Sequence, residues 1–425
     1  MQTQLIEAYQ VSERGREAEA IIRRCVHCGF CNATCPTYQL LGDELDGPRG
    51  RIYLIKQLLE GEVVTEKTQL HLDRCLSCQS CETTCPSGVN YHRLLDIGRE
   101  LVDEKVTRTL PAKAFRRLLA GVLSRRRLFT TLLRCGQTLR PALPAKLKAL
   151  VPVPQQALIE DPSPSSIKRQ VLLLEGCVQP GLSPNINIAT KNVLTRLGIG
   201  VQTHPKAGCC GALKFHLDEL AGARQNAKAN IDAWWPAVET GVEALIITAS
   251  GCGVFVKDYA TLLANDPIYR DKAKTIAALA LDISEFLSQQ DLQKDLQALL
   301  PSTPSKHAST QARNTKKQRV AFHAPCTLQH GQKLSGVVEA LLTQMGFELV
   351  AVADTHLCCG SAGTYSILQS EISTQLREQK VKALEQNAPD FIASANIGCL
   401  SHLSGASDTP IRHWVELVHD ALTAH

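Results

Sequence analysis

The chain has 425 residues, 44% of them hydrophobic and 20% charged, with a formal net charge of +5. That is room for two or three domains of ordinary soluble composition. One of the longest uncharged apolar runs, Ala244–Val256, stops at 13 residues and contains Thr, Ser and Gly, too short for a membrane-spanning helix.

Met1–Arg16 is polar, with four charged side chains and nothing like the apolar segment of an export signal. The expected compartment is the reducing cytoplasm, where a disulfide framework is disfavoured. The 17 cysteines are therefore read mainly as metal ligands.

Residues 1–104 hold eight of them, as Cys25-x2-Cys28-x2-Cys31-x3-Cys35-Pro36 and Cys75-x2-Cys78-x2-Cys81-x3-Cys85-Pro86. In such a run three closely spaced thiolates wrap one cubane, and the fourth, turned away before Pro, reaches the other cluster. The spacing predicts a first [4Fe–4S] cluster on Cys25, Cys28, Cys31 and Cys85. The second would lie on Cys35, Cys75, Cys78 and Cys81. Zinc sites use two separated C-x2-C pairs and have no need of four thiols per run. Ile52, Leu54, Ile55, Leu58 and Leu59 form a helical stripe, and Tyr91–Val102 repeats it. This predicts a mainly helical two-cluster domain whose cysteine loops face each other. Arg23, Arg24 and Arg74, beside the first cysteines, are read as solvated surface charge.

Residues 105–167 form a basic helical segment and a Pro/Ser-rich linker. Positions 105–148 carry 12 Lys/Arg and no Asp or Glu. The pairs Leu118-Leu119, Val122-Leu123, Leu128-Phe129 and Leu132-Leu133 recur at helical spacing. A basic amphipathic helix of this kind suits an anionic membrane face, an acidic flavoprotein partner, or packing on its own domain as a solvated structural helix. Cys135 lies outside every motif and is read as a buried structural cysteine. Nucleic acid is not an expected partner, with aromatics at 4%, no reading motif and the basic charge confined to one segment.

Residues 168–300 and 318–425 are an internal repeat, separated by a polar linker at 301–317. Each copy starts with a short apolar run leading to a Cys, Cys177 or Cys326. A helix closed by Gly198 or Gly346 follows, then a β run, then Cys209-Cys210-Gly211 or Cys358-Cys359-Gly360. Both copies place 31 residues between the first Cys and the Cys-Cys pair. A third β run leads to Cys252 or Cys399. Alternating strands and helices imply a parallel α/β unit with its site at the strand ends. The sets Cys177, Cys209, Cys210, Cys252 and Cys326, Cys358, Cys359, Cys399 are thus candidates for a further cluster or metal. Buried structural cysteines are the alternative. His323 is read as either a second-layer group near Cys326 or an ordinary strand histidine. Trp234-Trp235 is read as packing. The whole is expected to be a multidomain α+β and α/β chain: a helical ferredoxin domain, then two Cys-Cys-Gly domains.

This layout resembles the iron–sulfur subunits of flavin-linked dehydrogenases, a group that includes glycolate oxidase, anaerobic glycerol-3-phosphate dehydrogenase and heterodisulfide reductase. Within it the chain is most similar to the bacterial glycolate oxidase iron–sulfur subunits. Gly42-Asp-Glu-Leu-Asp-Gly-Pro-Arg-Gly-Arg-Ile-Tyr-Leu-Ile55, Glu175-Gly-Cys177, Cys326-Thr-Leu-Gln-His330, Cys358-Cys-Gly-Ser-Ala-Gly-Thr-Tyr365 and Ala395-Asn-Ile-Gly-Cys399 carry the likeness, with the first ferredoxin run. The resemblance implies two flavin-domain (FAD) partner subunits that oxidise glycolate to glyoxylate, with electrons leaving toward membrane quinone. It implies a cytoplasmic protein peripheral on the inner face of the membrane. Lactate or glycerol-3-phosphate are alternative substrates, and a thiol–disulfide enzyme of the heterodisulfide reductase kind is a third reading. The reductase pattern ends each block in C-x2-C, whereas Phe255 and His402 stand at the final positions here. That puts a five-thiolate cluster in doubt, and His402 is read as a surface histidine before a substitute ligand. No G-x-G-x-x-G follows a strand and no P-loop is present, so the chain is expected to carry no flavin of its own.

Overall fold

The structure, a computed structural model, describes residues 1–144, 148, 151–162, 167, 169–300 and 317–423. The linker expected at 301–317 lies outside the described residues except for Lys317, as do residues 163–166 of the earlier one.

The N-terminal region is helical. Helices Glu13–Arg24, Pro48–Leu59 and Tyr91–Lys105 pack through Ile22, Ile52, Ile55, Leu58, Leu94 and Leu101. Ser12 caps the first by accepting from the Gly15 N–H, and Pro48 opens the second where a missing N–H costs nothing. This bundle holds the two cysteine loops at one end.

Each repeat forms a four-stranded, wholly parallel sheet. The first joins β1 (Arg169–Leu174), β2 (Ile199–Gln202), β3 (Ala244–Ile247) and β4 (Ala280–Asp282) in the order β2-β1-β3-β4. The second joins β5 (Arg319–His323), β6 (Glu348–Leu349), β7 (Phe391–Ser394) and β8 (Ile411–His413) in the order β6-β5-β7-β8. Val171 pairs with Ala244, and Val320 with Phe391, so the two sheets share one register. Their apolar residues form near-continuous runs, as strands covered on both faces require.

Three details depart from the sequence reading. The fourth strands, three residues each, are too short to show a period. Cys252 and Cys399 sit in the first turns of helices Ser250–Lys257 and Ile397–Leu403, beyond the strand ends. The blocks are also not separate bodies. Val171, Leu173 and Ile246 share one core with Val320, Phe322, Trp414 and Val418. The Ser250 N–H donates to the Ala395 carbonyl at 3.2 Å, which ties the end of β3 to the end of β7.

Candidate functional site

The two ferredoxin runs take the same backbone path. His27 and Gly29 in the first loop have φ of 61° and 86°, and Ser77 and Gln79 in the second have 52° and 60°. Left-handed residues at these two positions wrap the chain around its own cysteines and turn backbone N–H groups inward. Ser77 N–H points to Cys75 Sγ at 3.4 Å. Cys35 and Cys85 then leave the loops in extended conformation.

The loops face each other, joined by Thr84 Oγ1 donating to Thr34 Oγ1 at 3.1 Å. This places the fourth cysteine of each run beside the first three of the other. One cavity of about 440 Å³ is lined by Cys25, Cys28, Cys31 and Cys85. A second, of about 360 Å³, is lined by Cys35, Cys75, Cys78 and Cys81. Cys81, Pro48 and Tyr91 form walls of both.

The donor set fits an iron–sulfur group. All eight thiols are free. Burial, then Cys25, Cys85 and Cys28, push the Cys31 thiol up to about 11. Burial and the neighbours Cys326, Cys35 and Cys75 push Cys78 well up. Thiols crowded in this way ionise only with a cation between them. A buried guanidinium stands ready beside the second cavity. Arg51 is fully buried, bonded to the His71 carbonyl at 2.7 Å and to Thr37 Oγ1 at 3.2 Å, and paired with the buried Asp46 at 3.5 Å. Its Nη1 has no partner among the described residues. Such an orphan donor suits an anionic thiolate-bound group.

Sequence reasoning missed Arg51, Asp46 and Arg99. Arg99 clamps the second loop by donating to the carbonyls of Leu72 and Cys75, each at 2.8 Å, and to Ser77 Oγ at 3.1 Å. Arg74 is not solvated surface charge, since it pairs with Asp46 at 2.8 Å. Arg23 and Arg24 are exposed, as expected.

The Cys-Cys-Gly thiols also converge. In the first block Cys210 and Cys252 lie 3.3 Å apart. The hydrogen bonds that Cys209 accepts from Cys177 and Cys210 hold it well down, and both donors are pushed up. Asn230 Nδ2 donates to the Cys209 carbonyl at 3.0 Å and Tyr259 Oη to that of Cys210 at 2.6 Å. Gly211 and Gly360 have φ of 106° and 89°, and a Cβ there would meet the carbonyls of Ala223 and Ser373 at 2.9 and 2.7 Å. Glycine is required on both counts. In the second block Cys326 and Cys358 lie 3.8 Å apart. Cys359 and Cys399 come together with His323, their ligand atoms within 4.8 Å of one another. His402 is half-buried and bonded to Ser373 Oγ at 3.2 Å, neither a plain surface group nor a member of that set.

The second loop and second block touch. Leu76 and Cys78 pack with Cys358, Tyr365, Ile372 and Leu376, and Cys326 borders the same cluster. Tyr365 Oη donates to the Arg74 carbonyl at 3.0 Å. The first loop is open, with Cys28 exposed and Val26 and Phe30 accessible at 67% and 61%.

A 4Fe-4S dicluster domain model matches residues 21–89, and a Cysteine-rich domain model matches 171–257 and 320–404. The glycolate oxidase iron-sulfur subunit of Escherichia coli (strain K12) is 53% identical over 422 residues, covering 99% of each chain. The chain belongs to the family of glycolate oxidase iron–sulfur subunits. It is thus a component of an oxidoreductase complex that carries [4Fe–4S] clusters. A probable member from Bacillus subtilis (strain 168) is 30% identical, over 92% of this chain and 90% of its own. Lactate utilization protein A of Geobacillus thermodenitrificans is 27% identical over 56% of this chain and 90% of its own.

The basic segment folds as helices Leu110–Leu123 and Arg126–Leu139. Part of its charge turns inward. Arg116 pairs with Asp218 at 3.0 Å and Asp73 at 3.1 Å, and Arg126 pairs with Glu175 at 2.6 Å. Cys135 is exposed, not buried, because its helix has no buried residue. Trp234 is fully buried, as a packing residue should be. Among the described residues no helix is long and apolar enough to cross a membrane.

Proposed function

We propose that this chain is the electron-transfer subunit of a glycolate dehydrogenase complex, passing electrons from a flavin on a partner subunit toward membrane quinone. The observation that carries the reading is the pair of adjacent thiol-lined cavities sharing Cys81 and Tyr91 as walls. Bound there, two [4Fe–4S] clusters supply one-electron carriers between a two-electron flavin and the acceptor. Cys25, Cys28, Cys31 and Cys85 hold one, and Cys35, Cys75, Cys78 and Cys81 hold the other. Leu76, Tyr91 and Tyr365 keep water from the second. Arg51 balances its negative charge. The exposed edge at Val26, Cys28 and Phe30 is the face presented to a partner, since tunnelling needs close approach. Oxidation of glycolate to glyoxylate takes place on two FAD-domain partner subunits.

Glycolate is preferred as substrate because the 53% identical relative is named for it. Lactate is the second reading, favoured by the likeness to Lactate utilization protein A. Contact with the cytoplasmic face of the membrane is assigned to the basic helices. Leu118, Leu128 and Leu132 are exposed there beside exposed Arg117, Arg125, Arg127 and Arg134.

The test is an anaerobic pull-down of the tagged chain from its host. Flavin in the eluate with dye reduction on adding glycolate is the expected result, with lactate as the paired control. Cys28→Ser and Cys78→Ser should each lower the iron per chain by about half, the share of one cluster in two. Each should stop quinone reduction while substrate still bleaches the partner flavin. Normal quinone reduction by either variant overturns the wiring.

A further inference from the structure

The two ferredoxin loops repeat a motif but not a polar setting. Cys75 Sγ receives the Ser77 N–H at 3.4 Å and the Tyr91 hydroxyl at 3.7 Å. Cys35 Sγ lies 3.3 Å from Thr37 Oγ1. At the first site the side-chain contact to sulfur runs the other way. Cys31 Sγ faces an acceptor, Asn32 Oδ1, at 3.9 Å. Asn32 is held in that sense because its Nδ2 donates to Glu44 at 2.9 Å. Tyr91 is 4% exposed and is a wall of both cavities, yet its hydroxyl serves a cysteine of the second.

Fixed charge divides in the same way. The Asp46 side chain is 1% exposed and is shared by two guanidiniums, Arg51 at 3.5 Å and Arg74 at 2.8 Å. This set carries one positive charge in excess. Arg51 Nη1 and Arg74 Nε are buried donors with no partner among the described residues. Arg99 holds the carbonyls of Leu72 and Cys75 and has no ion-pair partner among the described residues. Glu82, beside the shared wall Cys81, is paired with His92 at 2.9 Å. At the first cavity the lining cation Arg49 is matched by Glu44 at 2.5 Å, and their side chains are 33% and 40% exposed. Water screens that pair, so it adds little net field. The covered site is also the drier one, and lost water disfavours an added electron. Charge and hydrogen bonds act more strongly in that dry setting than in water, and here they outweigh the lost hydration.

We propose that Tyr91 and the Arg51–Asp46–Arg74 set hold the second site at the higher reduction potential of the two. Hydrogen bonds to sulfur and net positive charge both favour the reduced, more negative state. An electron taken up at the open loop then passes on to the covered one. The first site loses one electron, the second gains it, and no proton or bond changes. This direction rests on the electron-transfer reading proposed above, whereas the order of potentials does not.

The experiment is an anaerobic reductive titration of the full chain, with both clusters in place and without partner or quinone, followed by electron paramagnetic resonance. Two steps are expected. The higher should survive in Cys28→Ser and vanish in Cys78→Ser, which assigns it to the second site. Tyr91→Phe should lower that step by about 59 mV, a tenfold change in a one-electron equilibrium, at unchanged iron. The lower step should stay in place. Arg74→Gln should lower the same step by a similar amount, and Arg74→Lys should restore it. Arg74→Gln also serves if Tyr91→Phe loses iron. A higher step that belongs to the first site, coincident steps, or a higher step unmoved in iron-replete Tyr91→Phe and Arg74→Gln would each overturn the proposal. None of these results would touch the wiring itself, whose failure shows instead as normal quinone reduction by Cys28→Ser or Cys78→Ser.

Discussion

Cys28 and Cys78 occupy the same place in the two halves of a doubled motif, yet Cys28 is exposed and Cys78 is buried. Their loops have the same left-handed turns and the same four-thiol surroundings. What differs is the neighbour. Val26 and Phe30 face outward, whereas Leu76, the counterpart of Val26, is packed against Tyr365, Ile372 and Leu376 of the second Cys-Cys-Gly block. The motif sets the ligand chemistry, and the packing on the outside of the loop sets access. The doubled motif thus has one open and one covered loop.

The strongest way to break this comparison is a carboxylate on each loop. Leu76→Asp buries a carboxylate among Tyr365, Ile372 and Leu376 and is expected to cost about 4 kcal/mol. Val26→Asp adds a solvated charge and should stay within about 0.5 kcal/mol. Anaerobic thermal unfolding, read with iron per chain, checks both. Equal losses would mean that the two loops are not differently packed in solution.

Arg51 is next in size. It belongs to the covered side, and Arg51→Leu leaves the buried Asp46 with the part-exposed Arg74 and His71 but without its fully buried cation. Removing one partner of a buried pair costs about 3–5 kcal/mol. Because Arg51 lines only the second cavity, iron should fall by about half, with the first cluster retaining its spectrum. Loss of all iron would show that the cavities do not assemble independently.

Access can be tested without touching stability. Phe30→Asp lies on the open edge, where it meets solvent in the isolated chain. Its iron and unfolding temperature should not move. Electron uptake from the proposed flavin partner should slow about tenfold, or roughly 1.4 kcal/mol for a charge placed in a desolvated contact. An unchanged rate would place the partner elsewhere on the surface.

How much of this could be read beforehand follows the reach of each interaction. The two groups of four cysteines that line the cavities were legible because the doubled motif fixes their spacing along the chain. The repeat was legible because Cys177 and Cys326 stand at equal distances from their Cys-Cys pairs. Arg51, Asp46 and Arg99 were not, since their partners lie in other elements and a buried arginine reads like any other in a sequence. His323 could be singled out by its place three residues before Cys326, as a second-layer or an ordinary strand group, but the sequence does not show that the fold brings it to Cys359 and Cys399. His402 reads as a surface histidine in the sequence and is half-buried against Ser373. For the basic segment the sequence left membrane, partner and own-domain contact open; Arg116 and Arg126 reach acidic residues over 40 positions away in the chain, which no local pattern announces. Cys135 followed the usual preference of free cysteine for burial, and its helix lies on the surface.

The smallest effect concerns the polar link between the covered loop and its block. Thr83 Oγ1 lies 3.0 Å from His330 Nδ1, and His330 Nε2 lies 3.0 Å from the His356 carbonyl. With Nε2 donating to that carbonyl, Nδ1 is left to accept from the Thr83 hydroxyl. Burial moves the His330 imidazole below its ordinary range, which keeps this neutral tautomer in place. Thr83→Val should cost about 1 kcal/mol, the net worth of one neutral hydrogen bond. Thr84→Val removes a bond of similar length that joins only the two ferredoxin loops. The two variants separate the contacts. Hydrogen exchange of the helix Tyr365–Leu368 should quicken in Thr83→Val and stay unchanged in Thr84→Val. If neither variant alters exchange there, the apolar cluster of Leu76, Tyr365 and Leu376 alone holds the covered loop to its block, and the hydrogen bond is incidental.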